Sequence, residues 1–228
     1  MTLKQIISEL EKMGRPEALP HMAKFGINTQ NAFGVSVPNL RKLAKRIGLN
    51  HQLAHELWNT EIHDARLLAC LVAEADKTTR SEMNNWAKQF YSWDVCDGFC
   101  NNLFVFTPHT YDKAIEWSKK KPEYFKRAGF VLMAVSAVHK KEWKNEKFIS
   151  FFPLIKSESI DERNFVKKAV NWALRQIGKR SMLLNKEAIT LAKEIQKLDS
   201  KSARWIANDA LRELTSKEVI ERIKNKAK

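Results

Sequence analysis

The chain has 228 residues, 44% of them hydrophobic, a share that supports a sizeable core and excludes a disordered chain. Lys and Arg number 40 against 26 Asp and Glu, and the net charge of +14 points to a polyanionic partner, nucleic acid before an anionic membrane surface. No apolar run approaches the ~20 residues that cross a bilayer, three cysteines do not make a secreted disulfide scaffold, and seven Gly with six Pro are too few for a turn-rich all-β chain.

The predicted elements are helices almost throughout. Leu3, Ile6, Ile7 and Leu10 follow the i, i+3, i+4, i+7 spacing of an amphipathic helix, and this stretch lacks a signal-peptide core. Ser36 before Val37 and Pro38 reads as a cap followed by an early proline. Leu53, Leu57 and Trp58 form the next stripe, and Leu67, Leu68, Leu71 and Val72 the one after. Pro108 and Pro122 each mark the start of a helical stretch, and Gly14, Gly48 and Gly178 read as stops. Phe130–Val138 is apolar on nearly every side, and its Ala and Met content favours a buried helix over a strand. Phe165, Val166, Ala169, Val170, Ala173 and Leu174 form one face of a later helix. Ala203, Ile206, Ala207, Ala210, Leu211 and Leu214 form another. The result is roughly a dozen short helices with brief connections. No Gly/Ser/Pro linker divides them, so one domain over residues 1–228 is expected, with a basic tail fraying from Arg222 to Lys228.

A weak internal repeat runs through these helices. Its marks are Arg66, Asp97, Arg127, Lys168 and Arg204, at steps of 31, 30, 41 and 36 residues. The scatter brackets the ~33–47 residues of two-helix repeats, and an all-α, HEAT-like solenoid fits best. Such arrays curve around a concave groove, here expected to be basic because four of the five marks are cations.

Three constellations could carry chemistry. In Ser92-Trp93-Asp94-Val95-Cys96-Asp97, Ser92 can cap a helix, Asp94 suits its first turn, and Trp93 and Asp97 share a face one turn apart. An aromatic beside a carboxylate can hold a flat cation; on periodicity alone, a core Trp with two N-terminal acids is the plainer reading. Lys126-Arg127-Ala128 opens an apolar helix with a basic pair suited to phosphates, or simply to solvent. Lys167-Lys168 repeats that form, and Trp172 precedes Arg175 by three residues. No metal site is expected: His51 and His55 are an i, i+4 pair without an evident third ligand, and Cys96 and Cys100 lack a second cysteine pair.

Taken together, these stretches resemble the bacterial alkylpurine DNA glycosylases of the AlkD type, from about Met22 to Leu214. Gly34-Val-Ser-Val-Pro38 with Leu40-Arg41, Ser92-Trp93-Asp94-x-x-Asp97, Phe125-Lys126-Arg127-Ala128 and Ala169-Val170-Asn171-Trp172-Ala173-Leu174-Arg175 carry the likeness. The resemblance implies that Asp97 is the catalytic carboxylate, that Trp93 and Trp172 bracket the lesion's sugar, and that Arg127 holds the backbone phosphate beside it. It implies further backbone contacts from Lys126, Lys168, Arg175, Arg204, Ser36 and Phe25. Three positions depart from the family pattern: Phe25 stands where Tyr is expected, Ser36 where a longer polar side chain is, and Ser92 where a second Trp can occur. The implied activity is hydrolysis of N3- or N7-alkylated purines from duplex DNA, leaving an abasic site without flipping the base. No cofactor is implied, and the expected state is a monomer in the bacterial cytoplasm, at the nucleoid when engaged. The alternative is a non-catalytic HEAT-like scaffold that binds damaged or branched DNA.

Overall fold

The computed structural model describes residues 1–226. It contains fifteen α-helices, three short 3₁₀ turns and, among the described residues, no strand. No helix among them is long and apolar enough to cross a membrane. Cα packing groups the chain into two compact units, Met1–Pro108 and His109–Lys228.

The first unit holds α1 (Leu3–Lys12), α2 (Leu19–Lys24), α3 (Val37–Ile47), α4 (His51–Asn59), α5 (His63–Val72), α6 (Arg80–Lys88) and α7 (Trp93–Asn102). Local chemistry starts and stops these helices. Thr2 with Gln5 and Thr79 with Glu82 form capping boxes that satisfy the orphan amides of α1 and α6. Asn50 caps α4 by accepting from the Leu53 amide at 2.9 Å. Gly48 ends α3 at φ +77°, a conformation that favours glycine. The other two expected stops act differently: a Cβ on Gly14 would lie 2.9 Å from two backbone oxygens, and one on Gly178 would lie 2.8 Å from Leu214. Those glycines permit close packing.

Within each unit, second helices of successive pairs stack on one another. In the first unit α5 packs against both α3 and α7. The core beneath them is aromatic: Phe99 of α7 sits 5.0 Å from Trp58, 5.3 Å from Trp86 and 5.5 Å from Phe104, centroid to centroid. Val95, Cys96, Phe99 and Cys100 form the buried stripe of α7, and it leaves Trp93 and Asp97 half-buried on another side.

The second unit holds α8 (Thr110–Ser118), α9 (Glu123–His139), α10 (Asn145–Ile149), α11 (Phe152–Glu158), α12 (Asn164–Gly178), α13 (Met182–Gln196), α14 (Lys201–Leu214) and α15 (Lys217–Lys226). Here α9 packs on α8 and α12, and α12 packs on α14. The apolar run Phe130–Val138 is the C-terminal half of α9, buried from Phe130 through Ala137, which explains why it shows no polar face. Gly129 lets α9 lie directly on the backbone at Ser118, the end of α8. The expected basic tail, Arg222 to Lys228, begins within α15 and ends outside the described residues. Val219 and Ile223 of α15 are buried, and residues 227 and 228 lie outside the described residues.

Candidate nucleic-acid interface

The five repeat marks fall on five second helices, α5, α7, α9, α12 and α14, each at the fourth or fifth residue. Their environments differ. Arg66 is buried, with its guanidinium 4.5 Å above the Trp58 ring, 5.2 Å from that of Tyr91, and its Nε donating to the Trp58 carbonyl at 3.1 Å. The cation expected at that repeat is thus consumed inside the first unit. Asp97 is half-buried, Arg127 is 6% exposed, and Lys168 and Arg204 are exposed.

The first turn of α7 is built around Asp94. Ser92 takes the N-cap position in extended backbone, but its hydroxyl makes no capping bond. It donates instead to Asp94 Oδ1 at 2.6 Å, which also accepts the Val95 amide at 3.0 Å. Asp94 Oδ2 lies 2.9 Å from His63 Nε2, and His63 Nδ1 lies 2.9 Å from the Tyr91 hydroxyl. Burial pushes the Asp94 carboxyl up, but His63, Ser92 and the Val95 amide outweigh it and hold the pKa below the ordinary value. Asp94 therefore ties α7 to α5. Burial pushes the Tyr91 phenol up to about 12, so it stays protonated as a hydrogen-bonding group.

Trp93, at the start of α7, donates its Nε1–H to the Phe25 carbonyl at 2.9 Å. This joins two expected site residues that are 68 positions apart. The Phe25 ring is 59% exposed and meets His21 edge-on at 4.9 Å. The Tyr-to-Phe departure thus sits on an open ring, while the backbone of Phe25 does the work of placing the Trp93 indole. Ser36 is half-buried at the N-cap of α3 without a side-chain cap bond. The loop before it is gripped by Asp64, which accepts the Phe33 amide at 2.6 Å and the Val35 amide at 2.7 Å.

In the second unit, Arg127 donates from Nη1 to the Phe165 carbonyl at 2.6 Å, which links α9 to α12. Lys126 beside it pairs with Glu158 and, at 3.4 Å, with Asp161. Trp172 is half-buried on α12. Arg175, one turn on, pairs with Asp209 at 3.0 Å and Glu213 at 2.8 Å, both on α14. The even basic stripe is therefore partly neutralised by internal carboxylates. Arg204 pairs with exposed Asp199 at 3.3 Å, and Lys168 projects from α12. Its neighbour Lys167 lies 5.1 Å over the ring of Trp205, itself 41% exposed. Sequence reading passed over Trp205, although its place beside Arg204 in a stripe of small apolar residues marks it as the outward aromatic of α14.

The cysteines carry no reactive signal. All three are buried, and burial pushes the Cys70 thiol up to about 12. The histidine pair of α4 does acquire a third donor, Glu82 of α6, which sequence spacing did not disclose.

A family model described as DNA alkylation repair enzyme matches residues 6–214. The chain belongs to the DNA alkylation repair enzyme family. A solved structure from a new family of proteins related to the HEAT-like repeat DNA glycosylases, with affinity for branched DNA structures, is similar over 93% of this chain and 95% of its own. The TM-score is 0.79 and the identity 22%, a likeness that establishes the fold as all-α and HEAT-like. No curated protein matches the sequence significantly.

Proposed function

We propose that this family member is a monofunctional DNA glycosylase. It hydrolyses the N-glycosidic bond of cationic N3- or N7-alkylated purines in duplex DNA and leaves an abasic site without extruding the base. One observation carries the proposal. Asp97 is the single acid among the five repeat marks, set one turn after Trp93 on a half-buried face of α7. A carboxylate at a position that otherwise bears cations is costly in a purely phosphate-binding surface. It has a clear use where positive charge develops.

Alkylation makes the purine cationic, so the C1′–N bond can break with its electron pair leaving on a neutral base. The deoxyribose then gains oxocarbenium character, the charge that carboxylates stabilise in sugar hydrolases. Asp97 stabilises that charge and orients the water that attacks C1′, accepting its proton. Trp93 and Trp172 present π-faces to the cationic sugar. Arg127 fixes the phosphate beside it, and Lys168, Arg204, Ser36 and Phe25 position the backbone without reading sequence, whereas Lys126 and Arg175 are held by internal carboxylates. Water is the only co-reactant, and the enzyme works as a monomer in the bacterial cytoplasm, at the nucleoid when bound to DNA.

The decisive experiment is release of 7-methylguanine from methylated duplex DNA. Excision above the spontaneous rate, lost in Asp97→Asn while DNA binding persists, is the expected result. A wild-type chain that binds DNA and releases nothing would instead be a scaffold for damaged or branched DNA. The structural neighbour's described affinity for branched DNA keeps that second reading in play.

A further inference from the structure

A separate cluster of titratable side chains joins α4 to α6. His51 opens α4 and His55 follows one turn later, so both imidazoles leave the same helix face. Opposite them stands Glu82 of α6. Its Oε1 lies 3.0 Å from His51 Nε2 and 2.9 Å from His55 Nε2. The three donor atoms all lie within 4.8 Å of one another.

The cluster is well supported. The second Glu82 oxygen accepts both the backbone amide and the hydroxyl of Thr79, each at 2.8 Å. The carboxylate is thus aimed by the capping box of α6, independently of the histidines. Trp86 stacks on His55 at 4.9 Å and meets His51 edge-on at 6.1 Å. The cluster is also reachable, since the side chains of His51, Glu82 and His55 are 14%, 25% and 34% exposed.

We propose that His51, His55 and Glu82 form a binding site for a divalent transition-metal cation, with Zn²⁺ as its representative and a fourth position open to water. Geometry supports it: ligand bonds of ~2.1 Å in a tetrahedral site put donor atoms ~3.4 Å apart, near the 3.0 and 2.9 Å from Glu82 to the two imidazoles and within the 4.8 Å that bounds all three. The donor chemistry supports it as well. Two imidazoles and one carboxylate suit Zn²⁺, Ni²⁺ or Cu²⁺, whereas Mg²⁺ and Ca²⁺ require all-oxygen shells. The orienting bonds from Thr79 to Glu82 supply the outer-shell support that metal carboxylates need. There is also a cost. His51 Nδ1 accepts the Glu74 amide at 3.4 Å, which places the ring proton on Nε2 when no metal is bound. Coordination through Nε2 moves that proton to Nδ1 and gives up this long hydrogen bond. The site shares no residue with the Trp93–Asp97 face, and its role is to fasten α4 to α6.

The test is calorimetric titration of ZnCl₂ into the untagged, full-length protein after chelator treatment and exchange into chelator-free buffer. One equivalent binds saturably, and the Tm rises in its presence. Co²⁺ at the same site gives the visible absorption of a tetrahedral nitrogen–oxygen environment. Glu82→Gln keeps an acceptor for Thr79 and loses the anionic ligand; His55→Ala removes one imidazole. Each weakens Zn²⁺ binding at least ~10-fold, and the metal-free melting curve of each shows that it folds. Absence of saturable Zn²⁺ binding by the wild type overturns the proposal. So does either variant binding like the wild type, because the metal would then sit on His21, His63, His109 or His139.

Discussion

The helices α7 and α12 solve one problem with opposite charges. Each is a second helix of a repeat, and each carries a tryptophan and two candidate ionic residues. On both, one charge is committed to the neighbouring second helix. Asp94 of α7 meets His63 of α5, and Arg175 of α12 meets Asp209 and Glu213 of α14. The repeat-position residue remains on the accessible side, half-buried in Asp97 and exposed in Lys168. The comparison teaches that motif membership does not assign a role. Two aspartates three positions apart share a motif, yet Asp94 ties α7 to α5 while the proposed function assigns the substrate to Asp97.

The sharpest way to break this comparison is to neutralise each aspartate in turn. Asp97→Asn is expected to slow excision of 7-methylguanine by ~10²–10³-fold, with DNA affinity close to wild type. Single-turnover kinetics on methylated duplex DNA measure it, and an unchanged rate would remove Asp97 from the mechanism. Asp94→Asn should do the reverse. Weakening the His63 network costs about 1–3 kcal/mol of stability by denaturant titration, and the folded fraction still excises.

Acid sharpens the contrast within the first unit. Burial raises the Glu82 carboxyl, but its bonds to Thr79, His51 and His55 win and bring the pKa down to about 2. A depressed folded pKa gives stability that is fully present above the ordinary glutamate value and is lost as pH falls toward the folded one. Wild-type stability should therefore decline between about pH 4.5 and about pH 2, and Glu82→Gln should flatten part of that decline. Thermal melts across this range read the difference.

The smallest effects belong to the cations. Lys168→Gln should lower the slope of log affinity against log salt by about 1 and leave stability unchanged, as expected for a phosphate contact. Arg175→Gln should leave the salt slope nearly intact and cost about 1 kcal/mol, because Asp209 and Glu213 lose their partner. Equal salt slopes for the two variants would erase the distinction between a committed and an offered cation.

Much of this was legible in the chain. Periodicity alone supplied the helices, including α9, where an apolar run of that length and composition favours a helix buried on all sides. The spacing of Arg66, Asp97, Arg127, Lys168 and Arg204 marked the second helices in order, because a two-helix repeat must return the same face at each step. Other features were hidden because they depend on partners distant in sequence. Nothing local shows that Arg66 is buried under Trp58, that Lys126 is claimed by Glu158 and Asp161, or that the Phe25 carbonyl receives the Trp93 indole. Glu82 lies 27 residues from His55, so its convergence with the histidine pair is equally invisible to spacing.

By itself, the sequence determined an all-α repeat chain with a cationic surplus and one acid among its repeat marks. These properties follow from composition and period, which need no knowledge of neighbours. Tertiary structure alone decided which charges are consumed inside the protein. An ion's availability depends on what stands within a few ångströms of it, and in a helical-repeat fold that neighbour comes from the next repeat, some 30 to 40 residues away.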